Sequence, residues 1–434
     1  MRLLRYIIMT NYHTFHLPGG TPVCVAEMPW MESVSTGIWT AVGGRHDPVR
    51  LTGLAHFTEH MVFQGTKRRS ARRLNRDVEG AGGSMDAYTS EDHTAFFVKG
   101  PGEAFPRFMD VLLDLFQNSI FEPDTVTKER DVISEEISMY REQPSQHVED
   151  LLCRTVWPGH PLGRPIAGTE QSLERINAAS LQDHAHKYFG SGNSLISIAG
   201  RITKAQVEET LLRLLPQGFP KDSPTRDRPF QFQSRRVPSV VSEVRDIDQV
   251  QLALAFHAAG RFDSSQPALR LLNVILGENT SSRLWNELRE KRGLCYDSGS
   301  DLTALSDTGL LHIYAGVDPD KFHSVIKIIF GELRKLATKP VSPAVLRAAA
   351  DFSIASGRMA MESTSHQMTM MAESRLLYGR PMDLGEIQRR LRAVNPEQVR
   401  RTAERIFRPG RLTAAMVGPE LDHKLVLEAA GLLA

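Results

Sequence analysis

The chain repeats itself, and that repetition limits its architecture more than any other feature. HTAFFVKGPGEAFPRFMDVLLDLF at residues 93–116 is answered by TGLLHIYAGVDPDKFHSVIKIIFGEL at 308–333, and FEPDTVTKERDVI at 121–133 by VSPAVLRAAADFSI at 341–354. Several elements recur in the same order at an offset of 212–220 residues, which is the signature of a duplicated unit. With 434 residues the chain exceeds what a single core accommodates, so two domains of about 200 residues are expected. Between them, QGFPKDSPTRDRPFQFQSRRVPSV (217–240) carries four prolines among polar and basic residues with no sustained period, the composition of an extended linker. The expected division is 1–216, a linker at 217–240, and 241–434.

Within each half, strand-like runs alternate with separate helical ones. TPVCVAEM, STGIWTAVGG, SMDAYTS, HTAFFVK and NSLISIAG read as strands, and helices are expected near 52–63, 103–117, 124–142, 146–156, 180–189 and 203–215. After the linker the pattern restarts with VQLALAFHA as a strand, ALRLLNVILGE and SSRLWNELREK as helices, and strands around YDSGSD and TGLLHIYAGV. The fold class is therefore α+β, with two duplicated α/β domains in which helices pack on an antiparallel sheet.

Charge and cysteine content exclude several function classes. Fifty-two Lys and Arg against 51 Asp and Glu leave a formal charge of +1, so no field favours nucleic acid or an anionic membrane. Cys24, Cys153 and Cys295 are odd in number and widely spaced, which argues against a disulfide scaffold or a thiolate metal site and for a reducing compartment, the cytoplasm. No window approaches the roughly 18 uncharged apolar residues that a membrane span requires. MRLLRYIIM at the start, with translation from Met1 or Met9, is interrupted by Arg5 and followed by polar residues, so no signal peptide is expected.

One helix carries chemistry. In GLAHFTEHMVF, His56 and His60 are four apart, which on a helix stacks two imidazoles on one face as a metal clamp. Glu59 lies beside them, within reach of a metal-bound water as a general base. H-x-x-E-H is the reverse of the commoner H-E-x-x-H. The same spacing also describes two histidines at the edge of a core. A metal site needs a third protein ligand, and KERDVISEEISMYRE offers one. Val132, Ile133, Ile137 and Tyr140 are expected to form its apolar stripe, with Glu136 beside them and Glu135 turned toward Asp131 and water. A carboxylate against an apolar stripe is costly unless it is paired or bound to a cation, which favours Glu136. Glu129, two turns earlier on the same face, is placed to orient a ligand histidine. A solvated helical face is the alternative for both.

These residues resemble those of the pitrilysin/insulinase peptidases, and most closely the small bacterial members similar to the mitochondrial processing peptidase. GLAHFTEHMVFQGT resembles that family's zinc helix, ERDVISEEISMYREQP the helix of its third ligand, and GENTSSRLWNELREKRGLCYDSGS its second-half segment. The likeness runs from about residue 12 through nearly the whole chain. It implies one zinc per chain held by His56, His60 and Glu136, with Glu59 as general base and Glu129 in the family's supporting acid position. Arg289 and Tyr296 match a pair that contacts the substrate and the tetrahedral intermediate, for which a guanidinium and a phenol are suitable donors. GGSMDAYTSEDHT resembles a segment whose edge strand takes the substrate backbone as an added strand. Gly82, Gly83, Ala87 and Thr89 fit that pattern, whereas Asp86 stands where the family usually has Asn.

The resemblance further implies a clamshell of the two halves and hydrolysis of peptides or unfolded segments. The family's complete site takes twice as many domains as this chain provides, so a homodimer around an enclosed cavity is expected. The alternatives are a catalytically silent structural subunit, or a subunit active only beside a different half-length chain.

Overall fold

A computed structural model describes residues 10–221, 229–231, 238–380, 383–420 and 422–433. The start at Met1–Met9 and much of the expected linker lie outside the described residues. Two compact units are present, and they are not simply the two halves of the chain. The first comprises residues 1–137, 164–227 and 358–382, and the second 138–163, 228–357 and 383–434.

Among the described residues eleven strands form two sheets. Those of the first unit are β1 (Asn11–His16), β2 (Pro22–Glu27), β3 (Ser33–Thr40), β4 (Ser84–Thr89), β5 (Thr94–Pro101) and β6 (Ser194–Gly200), in the order β1-β2-β6-β3-β5-β4. Those of the second are β7 (Ser239–Val244), β8 (Val250–Ala258), β9 (Cys295–Ala304), β10 (Gly309–Val317) and β11 (Leu412–Gly418), in the order β7-β11-β8-β10-β9. Each sheet is antiparallel except for one parallel pair, β2 with β6 and β7 with β11. If β1 is set aside, both sheets order their strands in the same way, with the last strand of the unit inserted between the first two. That shared topology is the structural form of the repeat. β1, β7 and β11 had no expected counterpart, and β7 begins inside the segment read as linker.

In chain order the helices are α1 (Leu54–Val62), α2 (Ala71–Glu79), α3 (Phe105–Asn118), α4 (Pro123–Glu142), α5 (Pro144–Val156), α6 (Glu170–Leu173), α7 (Ala178–Tyr188) and α8 (Lys204–Leu214). They continue with α9 (Gln266–Asn273), α10 (Phe322–Thr338), α11 (Pro343–Ala360), α12 (Thr364–Tyr378), α13 (Leu384–Arg392), α14 (Pro396–Ile406) and α15 (Lys424–Ala430). The two helices expected after β8 are partly π-helical, at Val274–Glu278 and Trp285–Glu290. None of the described helices is long and apolar enough to cross a membrane.

Both faces of the first sheet are covered, which explains why β3 and β6 are buried along nearly their whole length. On one face Val34, Ile38, Phe96, Val98, Ile196 and Ile198 pack with Phe105, Phe108, Met109 and Leu112 of α3. On the other, Trp39, Ala95, Leu195 and Ala199 meet Met368, Met371 and Ala372 of α12. Small hydroxyls match the helix there: Ser35 Oγ lies 2.9 Å from Thr364 Oγ1, and Ser197 Oγ donates to the Met368 carbonyl at 2.8 Å. The second unit mirrors this arrangement with α5, whose Val148, Leu152 and Val156 cover Ala253, Ala255, Ala415 and Val417. Each unit thus takes one covering helix from the other half of the sequence. Phe230, inside the expected linker, stacks on His257 at 5.4 Å, and its N–H donates to Asp307.

One buried group makes the first unit sensitive to acid. His184 on α7 is enclosed beside Tyr188 and Phe189, and burial pushes its imidazole down to about 3. The folded form keeps this ring neutral while the unfolded chain protonates it below about 6.5, so the stability is present above that value and lost as pH falls. Between pH 6.5 and 5 the loss is about 2 kcal/mol. Urea denaturation of metal-free protein at both pH values should show this loss, and His184→Leu should reduce it by about 2 kcal/mol, leaving the share of the other buried imidazole, His56. An unchanged loss in the variant would contradict the assignment.

Candidate metal centre

The centre is built from two helices of the first unit, α1 and the Pro123–Ile137 part of α4. α1 begins at Gly53, whose φ of +94° and whose close approach to the Ala167 carbonyl leave no room for a side chain. Asp47 caps the helix: Oδ2 accepts from the Gly53 N–H at 2.8 Å and Oδ1 from the Ala55 N–H at 3.1 Å. A carboxylate six residues before the helix was not expected from the sequence, because only the intervening turn brings it back. Leu54, Phe57 and Met61 pack with Val126 and Ile133 of α4 and Leu181 of α7. Arg130 pins α4 by donating to the carbonyls of Leu173 and Ile176 at 3.0 and 2.9 Å.

This packing brings the imidazoles and Glu136 together. The His56 and His60 rings are 4.6 Å apart, and Glu136 Oε2 lies 3.6 Å from His60 Nε2 and 4.0 Å from His56 Nε2. Among the described residues these three form a group able to hold a metal ion, with ligand atoms all within 4.8 Å of one another. Tetrahedral zinc with bonds near 2.0–2.1 Å separates its ligands by about 3.4 Å. The two Glu136 spacings need to contract by about 0.2 and 0.6 Å and the third by at most about 1.4 Å, shifts within reach of side-chain rotation, so the donor set fits such an ion.

The electrostatics suit ligation. Burial, with His60 beside it, pushes His56 down to about 4, so its ring is neutral at physiological pH with a lone pair available. For His60, burial pulls downward but is outweighed by Glu129, Glu136 and Glu59, which hold its pKa above the usual value. His60 Nδ1 lies 2.9 Å from Glu129 Oε1, so Nδ1 carries the proton and Nε2 faces Glu136 with its lone pair. His56 Nδ1, by contrast, is buried without a partner among the described residues. Glu59 is 9% exposed, and burial raises its carboxyl above the usual range against the opposing pull of Thr89 and His60. Its Oε2 accepts from Thr89 Oγ1 at 2.7 Å.

One expectation about this region is corrected. Val132 and Tyr140 are 47% and 41% exposed, so the apolar side of α4 reduces to Val126, Ile133 and part of Ile137, although Glu135 does face water. Thr89, in the segment read as substrate-binding, turns its hydroxyl to Glu59 while its main chain belongs to β4. Asp86 and Ala87 of that segment lie in β4, an edge strand, and Gly82 and Gly83 precede it. Gly82 has φ +76°, and Gly83 and Gly100 leave space that the Phe108 ring fills. Asp86 Oδ1 accepts from the Ala87 N–H at 2.8 Å.

Arg289 and Tyr296 lie in the second unit and meet each other. The Arg289 guanidinium sits 4.7 Å from the Tyr296 ring and 4.4 Å from that of Trp285, and it donates to the Tyr296 carbonyl at 2.8 Å. Tyr296 itself is 78% exposed on β9, an edge strand. α11 answers α4 at an offset of 220, and it carries Ala349 and Ser356 where α4 has Glu129 and Glu136.

Residues 23–170 match the family described as insulinase (peptidase family M16), and residues 175–351 match the peptidase M16 inactive domain. A protein of Bacillus subtilis named as a zinc protease is 31% identical over 388 residues, covering 89% of this chain and 94% of its own. The chain belongs to the insulinase family. A second member named as a zinc protease, from Streptomyces coelicolor, is 30% identical over 416 residues, covering 94% of this chain and 90% of its own. Among solved structures, a protease from Helicobacter pylori shares the fold, with a TM-score of 0.88, 21% identity, and coverage of 95% of this chain and all of that one. The match to an inactive domain begins at residue 175, beyond the motif of α1 and the carboxylates of α4.

Proposed function

We propose that this protein is a zinc-dependent peptidase that hydrolyses peptides or unfolded segments, with the metal held by His56, His60 and Glu136. The observation that carries the reading is the convergence of Glu136 on both imidazoles while Glu129 holds the far side of the His60 ring. A zinc ion held there supplies Lewis acidity, polarising a carbonyl oxygen and lowering the pKa of water. Glu59 accepts the proton of the attacking water and delivers it to the leaving amine, and Thr89 keeps its carboxylate in one orientation. The edge strand β4, with Gly82, Gly83, Asp86, Ala87 and the main chain of Thr89, receives the substrate main chain as an added strand. Arg289 and Tyr296 donate to the developing oxyanion, a role that rests on the family likeness. The same likeness leads us to infer a homodimer closing around its substrate, and the three widely spaced cysteines lead us to infer a cytoplasmic location.

Metal content and hydrolysis of a fluorogenic peptide, measured on wild type, His60→Ala and Tyr296→Phe, test the reading. His60→Ala should lose both zinc and activity. Tyr296→Phe should keep its zinc and lose about 10-fold or more in kcat. Full hydrolysis by metal-free His60→Ala would overturn the proposal. The mass of the purified protein in solution tests the dimer, and a monomer that hydrolyses peptide at full rate would remove it.

A further inference from the structure

We propose that Glu373, on α12, is a positioning residue for the Glu59 chemistry: it anchors Tyr88 and His93 at the end of the edge strand and, through the neighbouring Thr89, fixes the Glu59 carboxylate. The inference rests on the reading of Glu59 as the proton acceptor. Its starting point is a problem of support. Among the described residues β4 is bonded on one side only, to β5, so no second strand holds it in place. Yet Thr89, its last residue, must hold Glu59 at 2.7 Å.

The opposite face of the strand supplies the constraint. Successive side chains of a strand point to opposite faces, so Tyr88 projects away from Glu59 where Thr89 projects toward it. The Tyr88 hydroxyl donates to Glu373 Oε1 at 3.1 Å, and it lies 3.3 Å from Trp39 Nε1 and 3.1 Å from His93 Nε2. A phenol has one proton and two lone pairs. With the proton given to Glu373, the oxygen accepts from Trp39 Nε1–H and from His93 Nε2–H. His93 Nε2 also lies 3.6 Å from Glu373, while Nδ1 lies 3.1 Å from Ser90 Oγ. The acceptors and donors of the cluster therefore match one another. Burial and the Glu373 charge keep the phenol protonated by raising its pKa.

Trp39 is wholly buried on the central strand β3, so the cluster ties the edge strand to the buried middle of the sheet. Glu373 closes it from a helix that the second half of the sequence contributes. A shift of β4 toward or away from the sheet moves Tyr88 and Thr89 together, because they share a peptide bond. Misplacing a reacting group by about 1 Å costs up to about 100-fold in rate, so a small loosening has a measurable effect.

The test measures kcat, KM, zinc content and thermal midpoint for Glu373→Ala, Glu373→Gln, Thr89→Val and the Glu373→Ala/Thr89→Val double variant. Glu373→Ala should lower kcat by about 10-fold with little change in KM or zinc content. Glu373→Gln should stay within about two-fold of wild type, since its carbonyl still accepts the Tyr88 proton. In the Thr89→Val background Glu373→Ala should add less than about two-fold, because the path to Glu59 is already cut. Wild-type kcat in Glu373→Ala, an undiminished loss in the double variant, or no rescue by Gln would each overturn the inference. Should Glu373→Ala fail to fold, Tyr88→Phe removes the same hydrogen bond while keeping the ring, and the same criteria apply. Glu59→Gln assayed alongside separates the two proposals. If it hydrolyses peptide normally, the reading of Glu59 fails and this inference with it; if it is inactive while Glu373→Ala is not impaired, only the inference fails.

Discussion

Glu59→Gln is expected to lower kcat for peptide hydrolysis by about 10²–10⁴-fold while leaving the zinc content unchanged. The substitution keeps the length and shape of the side chain, and Thr89 Oγ1 can still donate to the amide oxygen as it does to Glu59 Oε2. His56, His60 and Glu136 are untouched, so the metal should stay. The amide cannot accept a proton from water. Steady-state kinetics with metal analysis on the same sample check the expectation. Full hydrolysis with zinc bound would rule out Glu59 as the base and require the proton to leave by another route.

Phe108→Ala should destabilise the first unit by about 3–5 kcal/mol. The ring is completely buried on α3, in the core beneath the first sheet. A methyl group at Gly83 would come within 2.7 Å of it, and one at Gly100 within 2.5 Å, so the ring fills the space that these two glycines leave before β4 and within β5. Removing it opens a cavity bordered by backbone, which relaxes less readily than side chains do. The cost is a large share of the 5–15 kcal/mol typical of a folded domain. Urea denaturation gives the measurement. A loss below about 1 kcal/mol would mean that the strands collapse onto the gap and that the ring is not what sets their spacing.

Much of the candidate centre was legible because helical spacing is local. Two histidines four apart must share a face of α1, and Glu129 and Glu136, seven apart, must share a face of α4. The supporting contacts were not legible in this way. Thr89 reaches Glu59 across 30 positions of sequence, Asp47 returns to cap α1 through a turn, and Glu373 meets Tyr88 from 285 positions away. No periodicity announces such pairs. The apolar stripe assigned to α4 was wrong at Val132 and Tyr140 because period alone does not say how wide the covered face is; only the helices packed against it decide that.

The repeat, the alternation of strands and helices, and the ligand spacing are properties of neighbouring residues, so the sequence by itself determined them. It determined that there would be two related α+β units and that only the first would carry histidines and carboxylates at metal-binding spacing. Which sheet each amphipathic helix covers was decided by the tertiary structure. α5 and α12 both show an apolar face, but the pattern is the same whichever sheet buries it, and each lies on the unit built mainly from the other half of the chain. An apolar stripe records that a helix must be covered and leaves open by what. That choice brings Glu373 to the edge strand beside the site.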